Sequence, residues 1–263
     1  MGRAVGQDLS QSARKIIMVD VKTENTGVDA MADSKRIISV QIGDAAKQDL
    51  YYADANVGDR SLFQAAIRIR MLIAQGCLLA GYNLKEFEVP VLKRFLALPV
   101  PSANALDLRD LEGVKKLQQE TGKPFLELEE VCRECGIPVE HNRPLNEKAE
   151  ALKEKPEIQA QANEAAKQLE AKGWTAASSV NYALERIATG HAVLEAYQEF
   201  VQRDGAGDSL YYKYAVGDVL CEHLLLPVLQ QPTAPRPASP RGATNSPVTR
   251  TQASIRMPTR YSG

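Results

Sequence analysis

A chain of 263 residues, 44% of them hydrophobic, holds enough apolar material for a sizeable core, whether as one α/β domain with appendages or as two domains. Its 32 Lys plus Arg against 33 Asp plus Glu leave a formal charge of −1, which argues against both a polyanion-coating protein and an acidic one, so any nucleic-acid contact must be local. Residues 1–15 contain no apolar leader, and no stretch approaches the roughly 20 apolar residues that span a bilayer, so a cytoplasmic chain with no membrane partner is expected.

After an N-terminal extension of residues 1–14, Lys15 to Val21 (KIIMVDV) is a β-branched apolar run ending beside an acid. Arg36 to Gly43 alternates and stops at glycine, and Leu50 to Ala53 follows, so three strands open the domain. Ser61 to Gln75 carries apolar residues at helical spacing, and Cys77 to Tyr82 (CLLAGY) reads as a buried strand. Glu88 to Leu98 reads as a helix with Pro90 in its first turn, Ala105 to Leu108 as a short strand, and Asp110 to Glu120 as a helix. The order βββαβαβα predicts a mixed β-sheet flanked by helices over residues 15–229.

Leu126 to Cys135 looks helical, with Gly136 as its C-cap. Its Cys132 and Cys135 form a CxxC, open either to packing in the core or to a zinc or redox role. With Cys77 and Cys221 they are four scattered cysteines, a pattern of thiols rather than of a disulfide framework. Residues 146–172, rich in Glu, Lys, Gln and Ala and interrupted by Pro156, are expected to form a charged, solvated helical insertion. Ser178 to Gln202 is the longest amphipathic helix and Asp218 to Leu229 a final apolar one. Residues 230–263 turn to Pro, Ser, Thr, Ala and Arg with no acid, the composition of a disordered tail. Its Arg236, Arg241, Arg250, Arg256 and Arg260 suit either non-specific phosphate affinity or a solubilising linker.

Hydrolysis of a phosphodiester by two divalent metals needs several carboxylates around cations roughly 3.5–4 Å apart, and Mg²⁺ selects oxygen ligands. A strand ending in Asp-x-Glu places two carboxylates on one face, because side chains alternate. Here the first strand ends Asp20-Val21-Lys22-Thr23-Glu24, the segment after CLLAGY reads Asn83-Leu84-Lys85-Glu86-Phe87-Glu88-Val89-Pro90, and Tyr182-Ala183-Leu184-Glu185-Arg186 lies in the long helix. These three motifs, in this order and spacing over about residues 15–200, resemble the DEDD family of 3′ to 5′ exonucleases. That resemblance implies a ribonuclease H-like fold.

Residue by residue, the resemblance implies a degenerate site. Asp20 is kept, Lys22 stands at the family's Glu position, and Glu88 replaces an Asp. Tyr182 is followed four residues later by Arg186 where the tyrosine subtype has Asp, and His191 is followed five later by Ala196 where the histidine subtype has its acid. The family's four carboxylates would carry about −4, whereas Asp20 and Glu88 against Lys22 and Arg186 sum to about zero, which repels metal ions at short range. A salt-bridged cluster with Lys22 and Arg186 in the place of the metals is the expected outcome.

No catalytic residue is therefore expected to be intact, and no cofactor is expected. The implied function is a catalytically inactive exonuclease-like domain that binds nucleic acid through Lys22, Asn83, Lys85, Arg186, Arg236 and Arg241. Two alternatives stay open. One is an active 3′ to 5′ exonuclease in which Asp20, Glu24 and Glu88 hold Mg or Mn in a rearranged site. The other is a scaffold subunit that meets protein partners through the insertion or the tail.

Overall fold

The computed structural model describes residues 14–44, 46–54 and 60–230. The expected extension up to residue 13 and the expected tail from 231, with Arg236 and Arg241, lie outside them.

Five strands form one mixed sheet: β1 (Ile16–Thr23), β2 (Ile37–Gly43), β3 (Gln48–Tyr52), β4 (Leu78–Gly81) and β5 (Ala105–Asp107), in the order β3-β2-β1-β4-β5. The first three pair antiparallel, while β4 runs parallel to β1 and β5 parallel to β4. The short link from β2 to β3 and the longer one from β1 to β2, closed by backbone bonds of Glu24 with Lys35 and Arg36, suit antiparallel pairing, and the parallel strands are reached through helices. These helices are α1 (Leu62–Ala74) before β4 and α2 (Glu88–Leu96) before β5. Ser61 caps α1 through its side chain, which accepts from the Gln64 N–H.

Alternation along β1 separates two cores. Ile17, Val19 and Val21 pack with Ile69 and Leu72 of α1 and with Val91 and Leu92 of α2. Met18 points the other way, into a cluster formed by α3 (Glu112–Thr121), α4 (Leu128–Glu134) and the last helix, α8 (Leu210–Gln230). Gly136, at φ +72°, ends α4 as a left-handed residue.

The third core differs from the solvated insertion expected at 146–172. That stretch falls within two helices, α5 (Arg143–Lys153) and α6 (Pro156–Ala171), and both lie on α7 (Ala176–Gln202). Leu145, Ala149 and Leu152 of α5 and Ile158, Ala162, Ala166 and Leu169 of α6 are buried against Ala183, Ile187, Ala188, Ala192 and Ala196 of α7. The stripe recurs every three or four residues but is largely alanine, whose small side chain buries little area and lets helices approach closely. Pro156 begins α6 rather than breaking a single helix, because a first-turn residue needs no N–H partner.

The same closeness ties α7 to the link between β1 and β2: a Cβ added at Gly190 would lie 2.2 Å from the Asn25 carbonyl oxygen. Gly190→Ala is expected to lower stability by about 1–3 kcal/mol in urea unfolding, since overpacking against backbone outweighs the helix-propensity gain of about 1 kcal/mol.

Candidate functional site

Because Met18, Asp20 and Lys22 share one face of β1, the apolar contact that Met18 makes with α8 carries the two charged residues beneath the same helix. On α8, Tyr211, Tyr214, Asp218 and Glu222 recur at three- and four-residue spacing, so they form one stripe facing the sheet. The four acids brought together are buried: Asp20 is 7% exposed, Glu88 4%, Asp218 6% and Glu222 2%.

Lys22 is the centre of the cluster. Its Nζ lies 3.1 Å from Asp20 Oδ2 and 2.5 Å from Asp218 Oδ2, and it stands over the Tyr214 ring at 4.6 Å from the centroid. The other oxygen of Asp218 meets His141 Nε2 at 3.1 Å and the Asn142 amide at 3.5 Å, both from the short turn before α5. Gln41 of β2, opposite Asp20, has an amide orientation that satisfies its neighbours: it donates to Asp20 Oδ2 at 2.9 Å and accepts from Ser39 Oγ at 2.6 Å. Ser39 Oγ in turn bonds the Tyr211 hydroxyl. Glu222 Oε1 accepts the Tyr82 N–H at 2.8 Å, whereas Glu222 Oε2 and Glu88 Oε2 have no hydrogen-bond partner among the described residues.

Burial governs the charge states. Glu88 and Glu222 are pushed well above the ordinary carboxyl range, by burial first and then by the neighbouring Asp20 charge. Burial also raises Asp20, with the Lys22 ammonium opposing it. For Asp218 the desolvation is outweighed by Lys22 and His141, and its carboxyl is lowered. Lys22 is raised because Asp20 and Asp218 overcome its burial. Desolvation disfavours the charged His141 ring, but its bonds to Asp218 and Cys221 prevail and lift it to about 9. Burial thus pushes Glu88 and Glu222 toward the neutral form, while Asp20 and Asp218 stand against the Lys22 ammonium and, for Asp218, the His141 ring.

This donor set does not fit a divalent cation. The ammonium already occupies the space between Asp20 and Asp218, and a second cation at the same oxygens would meet its charge at a few ångströms. Among the described residues, no group of three or more His, Cys, Asp or Glu is arranged to hold a metal.

The structure brings together Asp20, Lys22 and Glu88 but not the other expected members. Glu24, just past β1, turns away to Arg36 at 2.9 Å and Lys35 at 3.8 Å. Tyr182 is exposed and stacks near Trp174 with ring centroids 5.1 Å apart. Arg186 acts on Glu127 at the start of α4 instead of on Asp20. His191 bonds Gln161 of α6. The physical reason is that α8 rather than α7 lies against β1, β2 and β3, whereas α7 packs mainly on α5 and α6 and reaches the sheet through the Phe200 ring against Tyr52.

Asn83 and Lys85 border the cluster. Asn83 is left-handed at φ 75° and its side-chain oxygen accepts from Arg109. Exposed Lys85 pairs with Asp110 at 2.6 Å, and the N–H groups of both Asn83 and Lys85 donate to the Asp107 carboxylate at the end of β5.

Tyr214, Asp218, Glu222 and His141 are the site members that sequence reasoning missed. A signal for three of them exists: Tyr214, Asp218 and Glu222 stand four residues apart in an otherwise apolar stretch, where unpaired acids are rarely buried. Nothing near His141 marks it in the sequence. No family model matches this chain, and no curated protein matches it.

Two measurements test these charge states. Lys22→Met is expected to cost about 3–5 kcal/mol in chemical unfolding, because it strands Asp20 without a counter-charge and leaves Asp218 with His141 alone. Glu88 and Glu222 have folded values above their unfolded ones, so their contribution is full at low pH and declines as pH rises through the folded values. Thermal melts of the Glu88→Gln, Glu222→Gln double variant are accordingly expected to fall less with rising pH than those of the unaltered chain.

Proposed function

We propose that this chain is a catalytically silent DEDD-type exonuclease domain of ribonuclease H-like fold, retained for binding nucleic acid, with Lys22 in the role that metal ions fill in an active site. The observation that carries the reading is the Lys22 ammonium held between Asp20 at 3.1 Å and Asp218 at 2.5 Å. A mixed five-stranded sheet with helices on both faces is compatible with it.

The third motif supports it further once moved along the chain. Tyr214-Ala-Val-Gly-Asp218 has the Tyr-x-x-x-Asp spacing of the tyrosine subtype, and it lies on the helix that faces Asp20. The departure from the family pattern then shrinks to one charge reversal, Lys22, and one lengthened acid, Glu88.

A hydrolytic site of this class works by holding two cations that generate a hydroxide and stabilise the leaving oxygen. Lys22 supplies positive charge to the same oxygens but has no open coordination position for water or phosphate. Its ammonium is also engaged on both sides, so phosphate contact passes to exposed cations at the rim such as Lys85, and to the arginines of the C-terminal segment, Arg236 and Arg241 among them.

Labelled single-stranded DNA and RNA, incubated with the full chain and Mg²⁺ or Mn²⁺, are expected to stay full length while forming a complex that weakens as salt rises. Lys22→Glu is expected to gain Mn²⁺ binding by calorimetry. Shortened products that vanish in Asp20→Ala would restore the active-nuclease reading. Failure to bind either polymer at low salt would assign the domain to protein assembly instead.

A further inference from the structure

The balanced charge of the whole chain is unevenly spread. From Arg60 to Lys85 the sequence holds no acid, and from Val89 to Leu106 it again holds none, while Arg68, Arg70, Lys93 and Arg94 fall in these stretches. They contain α1 and α2, which pack on the Ile17, Val19 and Val21 face of β1, opposite the face that bears Asp20 and Lys22. The one acid of the two helices is Glu88, and it is buried.

Elsewhere the surface cations are matched: Lys148 and Lys153 each meet two glutamates, and Lys47 and Asp49 beside α1 pair at 2.9 Å. Among the described residues, no carboxylate lies within 4.0 Å of Arg68, Arg70, Lys93 or Arg94. Arg94 is partly committed, since it donates to the Met31 carbonyl at 2.7 Å and lies over the Phe95 ring. Arg70 and Lys93 are exposed, and Arg68 is half-buried.

The same face exposes apolar groups. Phe63 is 67% exposed and Met71 47%, the two set about 12 Å apart along α1 by the rise of the helix. The core side of α1 is Ala65, Ala66, Ile69 and Leu72, so the helical turn puts Phe63 and Met71 on the outer side, with Arg70 on one flank and Arg68 on the other.

We propose that the outer face of α1 and α2 binds single-stranded nucleic acid, with Phe63 as a stacking platform for a base and Arg68, Arg70 and Lys93 as phosphate contacts. The inference rests on the reading of this domain as a nucleic-acid binder, and it adds a surface on the side of the sheet away from Lys22. A strand without a complement offers open base faces to an aromatic ring and a negative charge at every nucleotide, whereas a duplex offers only the charge. A second copy of this face is a poor occupant, because its guanidinium groups would meet their like with no carboxylate between them. An acidic protein segment would match the cations but has no repeating planar group for Phe63.

The test follows the anisotropy of labelled oligo-dT and oligo-U with the full chain over a range of salt. The Arg68→Gln, Arg70→Gln, Lys93→Gln triple variant is expected to bind about tenfold or more weakly at low salt. Its slope of log affinity against log salt should fall by about 2, since each phosphate contact on a single strand contributes about 0.7. Phe63→Ala is expected to weaken binding about fivefold or more with that slope unchanged, and Phe63→Tyr to keep the affinity of the unaltered chain. Duplex binding should be indifferent to Phe63→Ala. Should the triple variant not fold, Arg70→Gln and Phe63→Ala, both at exposed positions, carry the same test.

Failure of the unaltered chain to bind either oligonucleotide would remove the nucleic-acid reading and this inference together. Binding that survives the α1 and α2 variants, or that falls only in Lys85→Gln, would keep the reading and overturn this surface. Displacement of the strand by poly-glutamate as readily as by unlabelled oligonucleotide, with Phe63→Ala without effect, would give the face to an acidic protein and overturn it as well.

Discussion

The ammonium of Lys22, held between a strand carboxylate and a helix carboxylate, is the interaction on which the arrangement depends. It joins β1, at the centre of the sheet, to α8, the last described helix, across 196 positions of sequence. Such a pair is weak evidence for net stability, because each ion loses its hydration. Its effect is instead on register. Sliding α8 by one residue would withdraw Asp218 from Lys22 and from His141 together, and would draw Glu222 Oε1 off the Tyr82 N–H. An apolar helix such as α8, buried along much of its length, has few other features that fix its rotation.

Desolvation and the two basic groups together account for how so many acids coexist there. Burial shifts Glu88 and Glu222 toward the neutral form, and the Asp20 and Asp218 carboxylates meet Lys22 and His141. The gathering of carboxyl groups is what a metal site would require, but the positive charge comes from the chain itself. A fixed ammonium cannot exchange water or accept a phosphate oxygen into a coordination sphere, and for that reason the proposed function separates binding from cleavage.

Much of the sheet was legible in the sequence because β1 and β2 carry β-branched runs with a clear end, and α1 carries both its period and its Ser61 cap. The α5–α6–α7 packing was not, since its seam is made of alanines that a search for large apolar residues passes over. The candidate site was half legible. Asp20, Lys22 and Glu88 follow from strand alternation and from the start of α2, both local properties. The remaining half required knowing which helix crosses β1. Both α7 and α8 contain a Tyr with a charged residue four positions on, Arg186 and Asp218, and only the tertiary path of the chain separates them. His141 reaches Asp218 from an irregular turn, for which periodicity has nothing to offer.

The distance in sequence between Lys22 and Asp218 also orders events during synthesis. At about 5–20 residues per second, the 196 positions between them take roughly 10–40 s to make. Through that interval β1, β2 and β3 can pair, and α1 and α2 can cover one face of the sheet, while the other face presents Asp20 and Lys22 to water. Those charges keep the half-built surface hydrated where an apolar face would seek another chain. The arrival of α8 then dries and neutralises them in one event, so the residues that close the finished core also guard its precursor.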